Sequence, residues 1–162
     1  MPESVIVNTS PIFYLHRLQL LEILEKLYGT IIVPPAVIDE LERGKIQGED
    51  VPNIRVYSWI RVEQVKVSDF LKLITDLGTG EAEVLALEKT DSLVIIDEWL
   101  ARRIAELRGL KFTGTAGVLL KAKEQGCIIS ISSILEQLLK LGFRISHKVK
   151  NDILELAGEL PE

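Results

Sequence analysis

The sequence contains very little cysteine, histidine or aromatic side chain. Cys127 is the only cysteine among 162 residues, so neither a disulfide framework nor a thiolate zinc site is available. The two histidines, His16 and His147, have no other metal ligand or nucleophile at a useful spacing. Aromatic residues make up 6% of the chain, so we expect a core of Leu, Ile and Val. A reducing cytoplasm suits such a protein.

Long hydrophobic runs and an excess of positive charge are also absent. No stretch approaches the ~20 apolar residues that cross a bilayer, and residues 1–4 lack the basic region of a secretory signal. We therefore expect a cytoplasmic protein without membrane association. The net charge of −5 provides no general attraction for nucleic acid, so a bound polyanion would need local cations or a metal.

Short apolar runs alternate with helical patterns, which is typical of a parallel sheet covered by helices on both faces. The predicted strands are 4–7, 30–33, 60–67 at an edge, 93–96 and 111–112. The predicted helices are 11–28, 35–43, 69–75, 81–89, 98–108 and 115–124, with a helical C-terminal segment over about 132–158. Length and composition indicate one domain over residues 1–162. The alternation of strands and helices predicts an α/β fold with three α/β/α layers and a mostly parallel central sheet.

Polar and acidic residues occur where such a sheet binds ligands. Asn8 directly follows the first predicted strand and Asp97 follows the fourth, while Glu40 and Glu81 lie near the starts of predicted helices. The carboxyl ends of parallel strands face the crevice in which open α/β sheets bind ligands. Carboxylate and amide oxygens, without Cys or His, suit a hard cation such as Mg²⁺ or Mn²⁺. The pattern therefore predicts metal-assisted chemistry.

Each of these residues also has an ordinary structural interpretation. Asp97 could cap the next helix, and Glu81 in a first helical turn would gain from the helix dipole. Glu40 could belong to a solvated, charged helix face, and Asn8 could be a turn residue. Ser10 could simply begin a helix. Two nearby carboxylates are alternates for the same functional roles, Glu83 and Glu98.

Five segments of the chain, in this order and at these spacings, resemble the PIN-domain family. They are 5–12 (VIVNTSPI), 34–41 (PPAVIDEL), 78–87 (GTGEAEVLAL), 93–97 (LVIID) and 112–120 (FTGTAGVLL). Within that family the chain is similar to the small prokaryotic branch of VapC-type toxin ribonucleases. The resemblance implies an endoribonuclease that depends on Mg²⁺ or Mn²⁺ and acts as the toxin of a toxin–antitoxin pair. It also implies an RNA substrate, an antitoxin partner and a homodimer.

The resemblance assigns a role to each candidate residue. Asn8 stands where the family usually has its first Asp, and Ser10 is the nearby hydroxyl. Glu40 matches the second acid, Glu81 the third, and Asp97 the acid after the later strand. By this resemblance all five belong to the catalytic set, and Asn8, Glu40, Glu81 and Asp97 hold the metal. An amide oxygen can ligate Mg²⁺ but supplies no negative charge, so the metal should bind more weakly.

Two other functions compete with the nuclease interpretation. The first is a catalytically weakened PIN-like module that regulates by binding protein or RNA, which Asn8 and the acidic net charge favour. The second is a phosphohydrolase or nucleotide binder, which the carboxylates alone would permit. That second function needs a phosphate cradle of backbone N–H groups, and the segment 78–80 lacks the third glycine of such a loop.

The residues after Asp97 offer a surface for RNA. Arg102 and Arg103 could steer an RNA backbone towards the metal, although cations near a helix C-terminus are common. Trp99 could stack on a base, but we predict that it is anchored in the core. Thr115 is interpreted as a turn or cap residue, with a hydroxyl that lines the crevice as the alternative. For an antitoxin helix, Leu41 and Ile46 are predicted as lips of an apolar groove.

Overall fold

A central parallel sheet organises the structure, a computed structural model that describes residues 2, 4–74, 76–87 and 91–160. Its strands in the described residues are β1 (Ser4–Val7), β2 (Ile31–Val33), β3 (Ile60–Val62), β4 (Ser92–Ile95) and β5 (Lys111–Thr113). They lie in the order β3-β2-β1-β4-β5, and every neighbouring pair is parallel. The predicted α/β class is confirmed, and these strands form a wholly parallel sheet.

Both faces of the sheet are covered. Val5, Ile6 and Val7 are at most 2% exposed, and Val94 and Ile95 are fully buried. Successive side chains of a strand point to opposite faces, so consecutive burial requires packing on both sides. Three layers therefore form, as predicted. The buried core extends from β1 to the last helix of the chain.

The helices occupy the predicted places with different ends. They are α1 (Thr9–Arg17), α2 (Ile23–Tyr28), α3 (Pro35–Ile46), α4 (Asp69–Lys72), α5 (Thr79–Ala86), α6 (Trp99–Leu107), α7 (Thr115–Glu124), α8 (Ser132–Lys140) and α9 (His147–Leu156). A 3₁₀ turn covers Ile54–Val56. The last residue of the predicted helix 69–75 and the last two of 81–89 lie outside the described residues. None of the described helices is long and apolar enough to cross a membrane.

The predicted helix 11–28 is two helices. Gln19 adopts a positive φ of 61°, and Leu20 N–H donates to the Leu15 carbonyl at 2.8 Å, which ends α1. A left-handed residue at a helix end is usually glycine, so the sequence carries no warning of this break. Leu18 and Leu21 remain buried through the turn, which is why the apolar spacing suggested one continuous helix.

Two further boundaries differ from the sequence prediction. The predicted edge strand 60–67 is short, because β2 ends at Val33, where Pro34 offers no N–H and Pro35 begins α3. Helix α3 continues beyond position 43 to Ile46. Gly44 is buried within it, where the carboxylate of Glu49 packs back against its backbone.

The order of the strands creates a crevice between β1 and β4. The chain passes from β1 to β2 and β3 on one side, then crosses to β4 and β5 on the other. Connections leave the carboxyl ends of β1 and β4 in opposite directions, and such a switch point is where open α/β sheets bind ligands. The residues that follow β1 and β4 therefore mark the candidate site.

Candidate active site

Asn8 and Asp97 lie at the same edge of the sheet, as their positions after strands predict. Val7 and Ile95 pair in the register of β1 with β4, and Asn8 N–H donates to the Ile95 carbonyl at 3.0 Å. Ile96 N–H in turn donates to the Thr113 carbonyl at 2.8 Å. The sheet's hydrogen bonds thus fix the backbone on which both side chains stand.

The side chain of Asn8 carries an unpaired buried oxygen. Asn8 is 3% exposed, and its Oδ1 atom has no hydrogen-bond partner among the described residues. A Cβ on Gly80 would lie 3.1 Å from this oxygen, so the backbone of α5 passes close to it. Buried acceptors are nearly always paired, because an unpaired one keeps the cost of its lost hydration. Asn8 Oδ1 therefore has the chemistry of a ligand atom.

Glu40 is held in place by two donors. Thr9 Oγ1 donates to Glu40 Oε2 at 2.6 Å, and Gly80 N–H donates to Oε1 at 3.0 Å. A Cβ on Gly80 would lie 2.6 Å from Oε1, so only glycine allows this approach. Because Gly80 has no side chain, the carboxylate of Glu40 can reach the backbone at the start of α5.

Glu81 is a carboxylate whose charge is poorly compensated. Burial raises its pKa, and the nearby carboxylates of Glu40 and Glu98 raise it further. Hydrogen bonds from its own backbone N–H and from the Asn8 side chain oppose the rise without cancelling it. A group that resists ionisation in this way gains from a neighbouring cation.

Asn8, Glu40 and Glu81 meet in one cavity. Its volume is about 310 Å³, and we call it the acidic cavity, lined by Asn8, Thr9, Ser10, Phe13, Tyr14, Glu40, Glu49 and Glu81. Three of the predicted acidic-site residues therefore come together, with Ser10 beside them. Sequence reasoning did not assign Thr9, Tyr14 or Glu49 to this site, although the hydroxyl of Thr9 directly follows Asn8.

Asp97 has a different environment, because donors surround its carboxylate. Ser10 Oγ donates to Oδ2 at 2.9 Å, Thr115 Oγ1 donates to the same oxygen at 2.6 Å, and Thr115 N–H donates to Oδ1 at 2.7 Å. Asp97 thus caps α7 instead of the helix that follows it. Glu98 caps that helix, α6, by accepting from Ala101 N–H at 2.8 Å. Thr115 is fully buried and contacts the candidate site residue directly, whereas the sequence favoured a cap or turn role for it.

The alternate carboxylate Glu83 is accounted for by the fold. Its Oε1 accepts from Ala36 N–H at 3.1 Å, which satisfies a donor at the start of α3. Helices leave such N–H groups unpaired unless a side chain or water accepts them. Glu83 therefore has a structural partner, whereas Glu81, two residues earlier, faces the acidic cavity.

A second cavity of about 250 Å³ lies beside Asp97. We call it the Trp99 pocket, lined by Asp97, Trp99, Arg102, Arg103, Glu106 and Phe112. The prediction that Trp99 is anchored in the core is wrong, since Trp99 is 73% exposed. Position 99 begins α6 on the face that also carries the two arginines, and that face is turned to solvent.

The oxygen donors of the acidic cavity fit a hard cation with much retained water. Within the described ranges, no group of three or more His, Cys, Asp or Glu side chains is gathered tightly enough to hold a metal ion. Mg²⁺ keeps several waters and needs few protein ligands. The unpaired Asn8 Oδ1, beside two carboxylates, is the kind of donor that such an ion prefers.

Comparison with known proteins identifies the kind of domain. A protein-family model described as a PIN domain matches residues 4–159 of the chain. No curated protein and no solved structure gives a significant match.

Proposed function

Because the chain belongs to the PIN-domain family, whose members are generally nucleases, we propose that it is a divalent-metal-dependent endoribonuclease. The observation that supports this proposal best is the buried, unpaired Asn8 Oδ1 beside Glu40 and Glu81. Those three residues lie at the switch point of a parallel sheet, where ligands bind.

Phosphodiester hydrolysis needs an attacking water and stabilisation of the charge that grows on the phosphate. Mg²⁺ or Mn²⁺, when bound, lowers the pKa of water and neutralises phosphate oxygens. Asn8 Oδ1, Glu40 and Glu81 would hold the ion, with Thr9 and Gly80 keeping the Glu40 carboxylate in position. Glu81 would offer the ion a carboxylate whose charge the protein itself compensates poorly.

Asp97 would complete the site from the other side. Its carboxylate accepts three hydrogen bonds, from Ser10 and Thr115, out of about four that two oxygens can accept. One lone pair remains for the ion or for a water bound to it. Ser10 lines the acidic cavity while it donates to Asp97, so it couples the two parts of the site.

The finer aspects of the proposal rest on the family resemblance. They are the toxin role, an antitoxin partner, a homodimer and a cytoplasmic location. Ile46 at the end of α3 is 85% exposed, which suits a partner contact, whereas Leu41 is 3% exposed and lies in the floor of a nearby cavity. A groove for an antitoxin helix would therefore be bounded by Ile46 and not by Leu41.

The alternative function is a PIN-like module that binds RNA or protein without cleaving it. Asn8 favours this alternative, because the position contributes no negative charge to the metal site. The net charge of −5 favours it as well, since it weakens the attraction for RNA.

Cleavage of structured and single-stranded RNAs with Mg²⁺ or Mn²⁺ tests the proposal. The chain is compared with Asp97→Asn, Asn8→Asp and the control Asp39→Asn, an exposed carboxylate next to Glu40 on α3. We expect metal-dependent cleavage by the wild type and by Asp39→Asn, and its loss in Asp97→Asn. Cleavage by Asn8→Asp alone would establish the non-catalytic module. No cleavage by any folded variant would overturn the nuclease proposal.

A further inference from the structure

Trp99 is an exposed aromatic side chain at the mouth of the candidate site. It begins α6 two residues after Asp97, and 73% of its surface is exposed. Arg102, Arg103 and Glu106 follow at helical spacings of three, four and seven residues, so all four side chains share one face of α6. An exposed indole at this place needs a reason, since Trp is usually well buried.

The two arginines beside Trp99 differ in their partners. Arg103 is paired with Glu106 at 3.1 Å, whereas Arg102 has no ion-pair partner within the described residues. The guanidinium of Arg102 instead lies over the ring of Phe112, 5.2 Å from its centroid. A Cβ on Gly114 would lie 2.7 Å from Asp97 Oδ1 and 3.5 Å from Arg102 Nη1, so this guanidinium reaches towards the site. Arg102 is thus a cation that Phe112 positions and that forms no direct ion pair within the described residues.

A hydrogen bond joins one residue that lines the Trp99 pocket to one residue that lines the acidic cavity. Asp97 lines the Trp99 pocket, Ser10 lines the acidic cavity, and Ser10 Oγ donates to Asp97 at 2.9 Å. A chain of nucleotides with its scissile phosphate in the acidic cavity would therefore place its next nucleotide in the Trp99 pocket. An indole face stacks on any base, and an arginine attracts the phosphate beside it.

From this arrangement we infer that the Trp99 pocket binds one unpaired nucleotide of single-stranded RNA next to the cleaved bond. The base stacks on Trp99, and Arg102, oriented by Phe112, contacts the adjoining phosphate. The inference deepens the proposed nuclease function and rests on it for the identity of the polymer. A base in a duplex is already stacked and paired, so the pocket selects single strands. An exposed guanidinium without a direct ion pair among the described residues, next to an exposed indole, matches a phosphate next to a base, which favours RNA over a protein partner here.

The fluorescence of Trp99 tests the inference directly. The chain has two tryptophans, so a Trp59→Phe background leaves Trp99 as the only indole. This protein is titrated with a single-stranded decauridylate in EDTA, where no metal-dependent cleavage occurs. Arg102 supplies the cation, so binding in this pocket needs no metal. An abasic oligomer with the same number of phosphates and a duplex of equal length serve as comparison ligands.

We expect saturable quenching of Trp99 by the single strand, and at least about tenfold weaker binding of the abasic oligomer. Trp99→Ala should weaken binding of a labelled single strand about tenfold in anisotropy measurements. Arg102→Gln should reduce the salt dependence of log Kd by about one. Leu107→Ala, which removes an exposed apolar side chain at the other end of α6, is the matched control and should change nothing.

Three outcomes would overturn the inference. In the first, RNA leaves Trp99 fluorescence unchanged and Trp99→Ala binds RNA as tightly as the wild type. In the second, the abasic oligomer binds as tightly as the single-stranded decauridylate. In the third, Trp99 emission shifts with protein concentration in the absence of RNA, which would indicate a protein interface. Failure of the nuclease proposal is distinguishable. Quenching without metal-dependent cleavage would support the nucleotide pocket and contradict the nuclease proposal. Cleavage with the same KM in Trp99→Ala would support the nuclease proposal and contradict the nucleotide pocket.

Discussion

Glu81 in the acidic cavity and Glu159 near the C-terminal end are both partly buried carboxylates, yet their ionisation is shifted in opposite directions. Burial opposes ionisation of Glu159, but hydrogen bonds from Lys123, Ser130 and the N–H groups of Ile131 and Ser132 outweigh it and lower its pKa to about 2. The Lys123 Nζ and Ser130 Oγ contacts are both 2.7 Å long. Glu159 therefore fastens the chain after α9 to α7 and to the start of α8.

Glu81 is partly buried too, but among the described residues it has two hydrogen-bond donors where Glu159 has four. Its pKa is raised by desolvation and by the carboxylates of Glu40 and Glu98, and only the Asn8 amide and its own N–H oppose this. The comparison shows that burial alone does not identify a functional carboxylate. The supply of donors sets the direction of the shift, and a carboxylate whose charge the protein leaves poorly compensated retains its affinity for an added cation.

Removing the charge of Glu81 should have the largest effect. We expect Glu81→Gln to reduce metal-dependent RNA cleavage by about 100-fold or more, because the site loses its poorly compensated carboxylate. Single-turnover cleavage in Mn²⁺ measures the change, and Asp39→Asn is the control. Cleavage that persists at the wild-type rate would show that Glu81 is only a residue of the first turn of α5.

Removing the charge of Glu159 should affect stability instead of chemistry. Glu159→Gln is expected to lower the free energy of unfolding by about 2 kcal/mol, because four donors lose a charged acceptor. Urea denaturation followed by circular dichroism measures this change. Glu155→Gln, an exposed carboxylate on α9, should leave the midpoint unaltered. A loss of cleavage in folded Glu159→Gln would mean that the two carboxylates are coupled.

Adding a negative charge beside Glu81 should increase the difference between the acidic cavity and the surroundings of Glu159. Asn8→Asp is expected to bind Mn²⁺ about tenfold more tightly, since a third carboxylate joins Glu40 and Glu81. The metal-free variant should be less stable than the wild type, because like charges accumulate. Isothermal titration calorimetry measures the affinity. Asn53→Asp makes the same charge change at an exposed residue that caps the 3₁₀ turn, and should leave metal affinity unchanged.

The stability contributions of the two carboxylates should change with pH in opposite directions. The contribution of Glu159, whose pKa is lowered, is present above the ordinary value of 4.5 and is lost as pH falls towards about 2. The contribution of Glu81, whose pKa is raised, is present below 4.5 and is lost as pH rises through the folded pKa. Denaturation without metal should therefore find Glu81→Gln more stable than wild type at neutral pH. An equal ranking of the variants at every pH would contradict both shifts.

Much of the site could be predicted because its signals are local. Asn8 and Asp97 directly follow buried apolar strands, and parallel strands bring such positions to one edge. Glu40 and Glu81 were harder to assign, since a carboxylate early in a helix is common. The resemblance to PIN domains selected them from their acidic neighbours, and the structure places both in the acidic cavity.

Other parts depend on contacts between distant positions. Thr115 reaches Asp97 only because β4 and β5 are adjacent, and Gln19 ends α1 without the glycine that would announce it. The exposure of Trp99 depends on which face of α6 the sheet covers. Tryptophan is usually buried, and the prediction for Trp99 relied on this general preference. It was wrong because position 99 lies on the face of α6 that is turned to solvent.

The sequence by itself determined the α/β architecture and the residues at the ends of the strands, because apolar runs and helical spacings are properties of neighbours along the chain. Only the tertiary structure decided which carboxylates are supplied with donors. Glu81 and Glu159 are the same residue type, and neither sequence context reveals its donors. Their opposite pKa shifts arise from groups brought close by folding, such as Glu40 for one and Lys123 for the other. Electrostatic energy depends on distance through space, which the order of residues does not contain.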